Sequence, residues 1–280
     1  MKTGMNLLLW TGHVTEDHFG ILKDIKEAGF DGVEIPVFDT TVEHYKKVRK
    51  ELDNLGLHCT TVTIVTPDAN PISPDAKVRQ AAVDLLRRAI DCNQALGAEN
   101  MVGPFHSPLA VFSGVPPTVD EKKRAADVLR QAAEHAAQAK VRLCIEYLNR
   151  FECYFLTTAA DAADLVKRVA HPSFKTMFDT FHAHIEEKSQ AGPIKTVAPH
   201  LGHVHISEND RGTPGTGQVR WDEAFKTLKD VGYDGWMVIE AFGRALPDLA
   251  AATRVWRDLF PNAREVYTQG LKLIKQKWAA

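Results

Sequence analysis

Short apolar runs alternate with longer amphipathic stretches along the whole chain. The apolar runs are MNLLLW (5–10), DGVEIP (31–36), LHCTTVTIV (57–65), ENMVGPF (99–105), VRLCIEYL (141–148), FKTMFDT (174–180), LGHVHIS (201–207) and GWMVIEAF (235–242). Several are rich in Val, Ile, Leu, Thr and aromatic residues, as parallel strands buried on both faces should be. Between them the period lengthens. In HFGILKDIKEAG, residues Phe19, Leu22, Ile25 and Ala28 recur at a spacing that holds one helical face. SPDAKVRQAAVDLLRRAIDCNQALGA reads as a longer, Ala/Leu-rich helix. Thr40-x-x-Glu43 and Thr118-x-x-Glu121 have the form of capping boxes, which satisfy the free N–H groups at a helix start. The tail from about 247 to 280 reads as extra helix, divided at Pro261.

Eight strand-like runs, each followed by a helix-like stretch, predict parallel strands with right-handed crossovers. An open doubly wound sheet shows the same alternation. The count of eight, and polar residues at the C-terminal end of one strand after another, favour a closed (β/α)8 or TIM barrel, where those ends converge on one mouth. The length of 280 residues is near the roughly 250 typical of that barrel. No linker or low-complexity stretch divides the chain, so a single domain over 1–280 is expected.

Strand five ends in Ile145-Glu146, strand six in Phe178-Asp179 and strand eight in Ile239-Glu240, while strand seven carries His203-Val204-His205. One carboxylate at a strand end means little. Four successive strands ending this way would aim Glu, Asp, His and Glu into one small volume. Three carboxylates there repel one another and cannot all ionise without a cation. A divalent metal removes the conflict. Three oxygens and one imidazole suit Mn²⁺ best, with Mg²⁺ or Co²⁺ as alternatives; zinc usually takes more nitrogen or sulfur. His203 and His205 share a strand face. His205 is nearer the mouth and is taken as the ligand, His203 as its inner neighbour. Glu34, at the end of strand two, has the reach to join the mouth. Trp10, at the end of strand one, is a candidate ligand-packing aromatic or a core residue.

The stretch HVHISENDRGTPGTG (203–217) raises the question of phosphate binding. Gly212 and Gly217 have P-loop spacing, but Gln218 and Val219 stand where Lys and Ser or Thr are required. The glycines are read instead as letting a long loop fold over the mouth with Arg211 pointing inward.

Bulk properties narrow the function. Lys and Arg number 34 against 36 Asp and Glu, a net charge of -2, without the basic footprint of a nucleic-acid binder. No apolar run approaches the ~18 residues of a membrane span, and MKTGMNLLLW lacks the long h-region of a signal peptide. Cys59, Cys92, Cys144 and Cys153 form no C-x-x-C pair, which fits buried thiols in a reducing cytosol. A cytoplasmic enzyme is the expectation.

With these residues in view, IEYLNRFE (145–152), MFDTFHAHIEE (177–187), GHVHISENDRG (202–212) and VIEAFG (238–243) resemble the signature segments of the ketose 3-epimerases. These are the D-tagatose, D-allulose and L-ribulose 3-epimerases of the xylose-isomerase-like barrel superfamily. The resemblance implies that Glu146, Asp179, His205 and Glu240 bind the metal, with Glu146 and Glu240 also the acid/base pair. It further implies that Glu152, His182 and Arg211 hold the O1–O3 end of a small-molecule ketose, and that the chain forms a homodimer or homotetramer. His184 is read as a loop histidine without a role. Hydroxypyruvate isomerases usually have Pro after the first Glu; here Tyr147 stands in that place. Inverting C3 means removing a proton made acidic by the C2 carbonyl and returning one to the opposite face through an enediolate. Two carboxylates on different sides suit that task, and Asp179, with its shorter arm, suits a ligand-only role. Alternatives on the same scaffold are an aldose–ketose isomerase, a hydroxypyruvate isomerase and an inosose dehydratase. An AP-endonuclease-like enzyme would need a His-rich multi-zinc site, and a non-catalytic sugar binder would not need two flanking glutamates.

Overall fold

The computed structural model describes Met1–Ala280 and closes eight parallel strands into one barrel, in the order β1 to β8. The strands are β1 (Lys2–Asn6), β2 (Gly32–Pro36), β3 (His58–Val62), β4 (Asn100–Gly103), β5 (Arg142–Ile145), β6 (Phe174–Asp179), β7 (Leu201–Ile206) and β8 (Trp236–Ile239). β1 lies beside β8, with Lys2 opposite Trp236 and Met5 opposite Ile239, so the open sheet is excluded. The helices are α1 (Phe19–Ala28), α2 (Val42–Leu55), α3 (Ala76–Leu96), α4 (Val119–Ala139), α5 (Ala159–Val169), α6 (Thr180–Glu186), α7 (Ala191–Val197), α8 (Trp221–Asp230), α9 (Pro247–Thr253) and α10 (Ala263–Ala279). None is long and apolar enough to cross a membrane.

Seven of the apolar runs frame their strand, and the first is displaced. The Asn6 side chain accepts the Leu8 N–H at 2.8 Å and turns Leu7–Leu9 into a 3-10 helix. The most apolar part of that run is therefore a turn, and β1 is made from the plainer Lys2–Asn6. Trp10 follows the turn rather than ending a strand. Its ring packs 6.2 Å from that of Tyr267 on α10, and it does not line the mouth cavity. The ligand-packing role for Trp10 is thereby withdrawn.

The box at the start of α4 forms as expected. Thr118 Oγ1 accepts the Glu121 N–H at 3.2 Å, and the Glu121 carboxylate accepts the Thr118 N–H at 2.7 Å. The Thr40–Glu43 box does not. Asp39 accepts both the N–H and the hydroxyl of Thr41, so the chain turns one residue later and Thr41 becomes the cap. In the tail, α9 ends at a left-handed Arg254, and Pro261 directly precedes the Asn262 cap of α10. The break thus starts before the proline.

A continuous apolar cluster of 66 buried residues fills the space between strands and helices. Inside the barrel the lining divides in two. Val62, Val102, Cys144 and Met177, from β3 to β6, form an apolar side. Asn6, Glu34, Thr60, His203 and His205, from β1, β2, β3 and β7, form a buried polar side. Such groups are tolerated only when they satisfy one another. All four cysteines are buried and unpaired.

Candidate active site

The strand ends bring the four expected side chains together. Asp179 is the last residue of β6 and lies opposite His205 in the β6–β7 register. Glu146 and Glu240 each follow their strand by one residue, and their N–H groups donate to Gly103 O at 3.0 Å and Ile206 O at 3.2 Å, extending the ladder. Ligand atoms of Glu146, Asp179, His205 and Glu240 all lie within 4.8 Å of one another, and all four residues are buried. His205 Nδ1 sits 3.3 Å from Glu240 Oε1 and 3.6 Å from Asp179 Oδ2, yet makes no hydrogen bond. A ring nitrogen without a bond, aimed among carboxylate oxygens, is a donor set suited to a cation. The residues fit a divalent metal.

Electrostatics separate the two glutamates. Burial, with the Glu240 charge added, pushes the Glu146 carboxyl well above its ordinary value. Burial also opposes the charge on Glu240, but His205 and Arg211 outweigh it and hold that carboxyl low. In the metal-free cluster the two carboxyls are thus pushed in opposite directions.

Beneath this cluster lies Glu34. It sits inside β2 rather than at its end, and it does not line the mouth cavity. Its Oε1 accepts from His205 Nε2 at 2.7 Å and Asn6 Nδ2 at 3.0 Å, and its Oε2 from Thr60 Oγ1 at 2.8 Å. His203 Nε2 lies 3.1 Å from the same Oε2, which confirms His203 as an inner neighbour. With Nε2 donating to Glu34, the other nitrogen of His205 is the one presented to the cluster. Asn6 also donates to Glu240 Oε1 at 3.2 Å. Asn6, Thr60 and the depth of Glu34 escape sequence reasoning, because their partners lie on other strands. The polar residue interrupting the first apolar run was the available sign of Asn6.

Arg211, His182 and Glu152 border the cluster as expected. The Arg211 guanidinium is buried, bonds to Glu240, lies 3.4 Å from Asp179 Oδ2, and stacks 3.7 Å over Phe181 and 4.8 Å over Phe242. His182 is in the first turn of α6, not in a loop, and is fully buried. Its pKa is lowered to about 3 by burial and by Arg211, so the ring is neutral. His182 Nδ1 accepts the Asn149 N–H at 2.9 Å, which leaves the proton on Nε2. That Nε2 faces Arg211 Nη2 at 3.1 Å and Glu146 Oε1 at 3.4 Å. Two donors thus converge where one acceptor oxygen satisfies both. Glu152 accepts from Asn149 Nδ2 at 3.0 Å and lies 4.0 Å from Arg211 Nη2. Asn149 is a further residue the sequence did not single out. His184 lies in α6 with His182 rather than in a loop, and it joins neither the cluster nor the cavity wall.

The glycine-rich stretch does not cradle phosphate, nor does it cross the mouth. Its tip lies beside Leu273 of α10. Only Arg211 turns inward. The mouth holds a cavity of about 300 Å³. Glu146, Glu152, His182, Arg211 and Glu240 occupy one part of its wall, and most of the rest is apolar, including Leu8, Phe38, Val62, Ile64 and Phe242.

The chain matches a family model described as xylose isomerase-like TIM barrel over residues 22–277. It is 32% identical over 285 residues to the ketose 3-epimerase of Arthrobacter globiformis, covering 100% of this chain and 98% of that one. It is 32% identical to the D-psicose 3-epimerase of Ruminiclostridium cellulolyticum, covering 95% and 92%. Its fold superimposes on crystalline D-allulose 3-epimerase from Methylomonas sp. with a TM-score of 0.93, 26% identity and coverage of 99% and 98%. Barrel, strand-end residues and relatives agree: the chain belongs to the xylose isomerase-like TIM barrel family and, within it, to the ketose 3-epimerases, which are isomerases.

Proposed function

We propose that this enzyme inverts C3 of free ketoses, with one divalent cation held by Glu146, Asp179, His205 and Glu240. The observation that carries the reading is the pair Glu146 and Glu240: two buried carboxylates at the ends of β5 and β8, gathered with Asp179 and His205 into one cluster whose ligand atoms all lie within 4.8 Å of one another. Ketoses of the D-psicose (D-allulose) type are the substrate class, after the names of the relatives. Mn²⁺ suits the donor set of three carboxylates and one imidazole best. When bound, the cation supplies Lewis-acid polarisation of the substrate carbonyl and neutralises charge on the enediolate.

The side chains supply the rest. Glu146 and Glu240 form the acid/base pair: the ionised member takes the C3 proton and the other, carrying a proton, returns one to the opposite face; the reverse reaction exchanges the roles. Asp179 remains a ligand. His182 Nε2–H and Arg211 Nη2–H converge on one substrate oxygen, and Glu152 accepts from a neighbouring hydroxyl. Asn149 fixes the His182 tautomer. The buried site keeps bulk water from the carbanion-like carbon.

A panel of free ketoses with added Mn²⁺ in D₂O tests the reading. The expected product is the C3 epimer carrying deuterium at C3. Label at C1 or C2 would mark an aldose–ketose isomerase, and loss of water a dehydratase; either result refutes the proposal. Full activity after exhaustive chelation refutes the metal.

A further inference from the structure

The loop after β7 holds a buried carboxyl group that the chemistry above does not use. Glu208 is fully buried, three residues from both His205 and Arg211. Its Oε1 accepts the N–H groups of Asn209 at 3.1 Å and Val219 at 3.0 Å. Its Oε2 accepts the N–H of Gly215 at 2.8 Å and the indole N–H of Trp221 at 3.2 Å. The four donors are neutral, and all come from the segment that follows Glu208. The N–H groups that a phosphate loop would turn outward are thus wrapped around the chain's own carboxylate. The cage is tight. A Cβ at Gly217 would come within 2.7 Å of Glu208 Cδ and 2.3 Å of Asn209 Oδ1, and Gly215 has a φ of +94°. Both positions need glycine for the loop to close on the carboxylate.

The backbone of Arg211 hangs from this cage. The Glu208 carbonyl accepts the Arg211 N–H at 3.0 Å, and the Arg211 carbonyl accepts the Phe242 N–H at 3.0 Å. Between those two bonds Arg211 has a φ of +68°, which side chains other than glycine rarely adopt. Such a conformation persists only where its surroundings over-determine it. It sends the guanidinium between Phe181 and Phe242 and onto the acidic cluster.

We infer that Glu208 is a positioning residue: its caged carboxylate folds the loop that holds Arg211 in its left-handed conformation and so aims the guanidinium at the substrate oxygens. The inference rests on the role proposed for Arg211 in C3 epimerisation. A glutamine at 208 has one acceptor oxygen and an NH₂ group, which would face two N–H donors. Fold and metal ligands would stay, and the aim of Arg211 would be lost.

The test is a double-mutant cycle of E208Q and R211K in the full-length, Mn²⁺-loaded enzyme, on a ketose that the wild type epimerises. Expected is a loss of kcat/KM of about tenfold or more from E208Q in the wild-type background, and less than about twofold in the R211K background. Equal losses in both backgrounds mean that Glu208 acts independently of Arg211, and unchanged turnover in a folded E208Q means that it does not act; each result overturns the inference. Should E208Q fail to fold, G217A enters the same cycle under the same criteria. It presses a methyl group on the same side chain and keeps the glutamate. If the wild type itself does not epimerise ketoses, the functional reading fails first and this inference falls with it.

Discussion

Glu34→Gln separates the support beneath the proposed metal ligands from the ligands themselves. Glu34 uses both oxygens as acceptors: Oε1 for His205 Nε2 at 2.7 Å and Asn6 at 3.0 Å, Oε2 for Thr60 at 2.8 Å beside His203 at 3.1 Å. Glutamine keeps the shape but can accept on one side alone. If its NH₂ faces His205, that ring must move its proton to Nδ1, the atom turned to Glu240 and Asp179. If it faces Thr60 and His203, His205 keeps its tautomer but loses a charged acceptor. A hydrogen bond to a charged group is worth about 1.5–3 kcal/mol. Removing the partner of a ligating histidine typically weakens metal binding roughly 10–100-fold, or about 1.4–2.8 kcal/mol. Calorimetric titration of metal-free protein with Mn²⁺ measures the loss, with far-ultraviolet circular dichroism as the check on folding. A dissociation constant within about twofold of wild type, in a variant that folds normally, would show that Glu34 does not govern His205.

Glu146→Gln and Glu240→Gln should each reduce turnover by at least the ~10²–10⁴-fold typical of acid/base catalysis, even where Mn²⁺ remains bound; wild-type-like rates in either variant would remove that residue from proton transfer. Metal and pH are linked. Glu146 and His205 are both raised above their ordinary values in the metal-free protein, Glu146 by burial and by Glu240, and His205 by Glu34 and Glu240 against burial. Their contribution to folding stability is complete below the unfolded values, about 4.3 and 6.5, and is lost as pH rises through the folded ones. A bound cation replaces those protons, so the difference in melting temperature between metal-loaded and chelated protein should widen above about pH 6.5. A gap that stays constant with pH contradicts this coupling. Far from the site, Thr118→Ala should lose the α4 cap and about 1 kcal/mol of stability without changing kcat/KM, measured by denaturant melts and turnover.

Much of the barrel was legible because parallel strands covered on both faces must be apolar throughout, while polar residues stand out at their ends. Glu146, Asp179 and Glu240 could be read in this way, and the two-residue spacing of His203 and His205 gave their shared face. Other features depend on register between distant segments. Glu34 and His205 are separated by 171 residues in the chain yet share a hydrogen bond, and nothing local to either announces it. Asn6 lay inside a run whose stronger apolar half proved to be a turn. The glycines at 215 and 217 were visible, but their reason was not: they make room for a carboxylate that, in the sequence, looks like any loop acid.

The divided interior of the barrel bears on when activity can arise during folding. The proposed metal ligands come from the ends of β5 to β8, whereas Asn6, which donates to Glu240, and Glu34, which accepts from His205, come from β1 and β2, with Thr60 of β3 donating to Glu34. Asn6 meets Glu240 at the seam where β1 joins β8, and Glu34 meets His205 across the barrel interior. Neither half-barrel therefore carries the whole proposed centre, and turnover by a refolding chain would signal that the two halves have met.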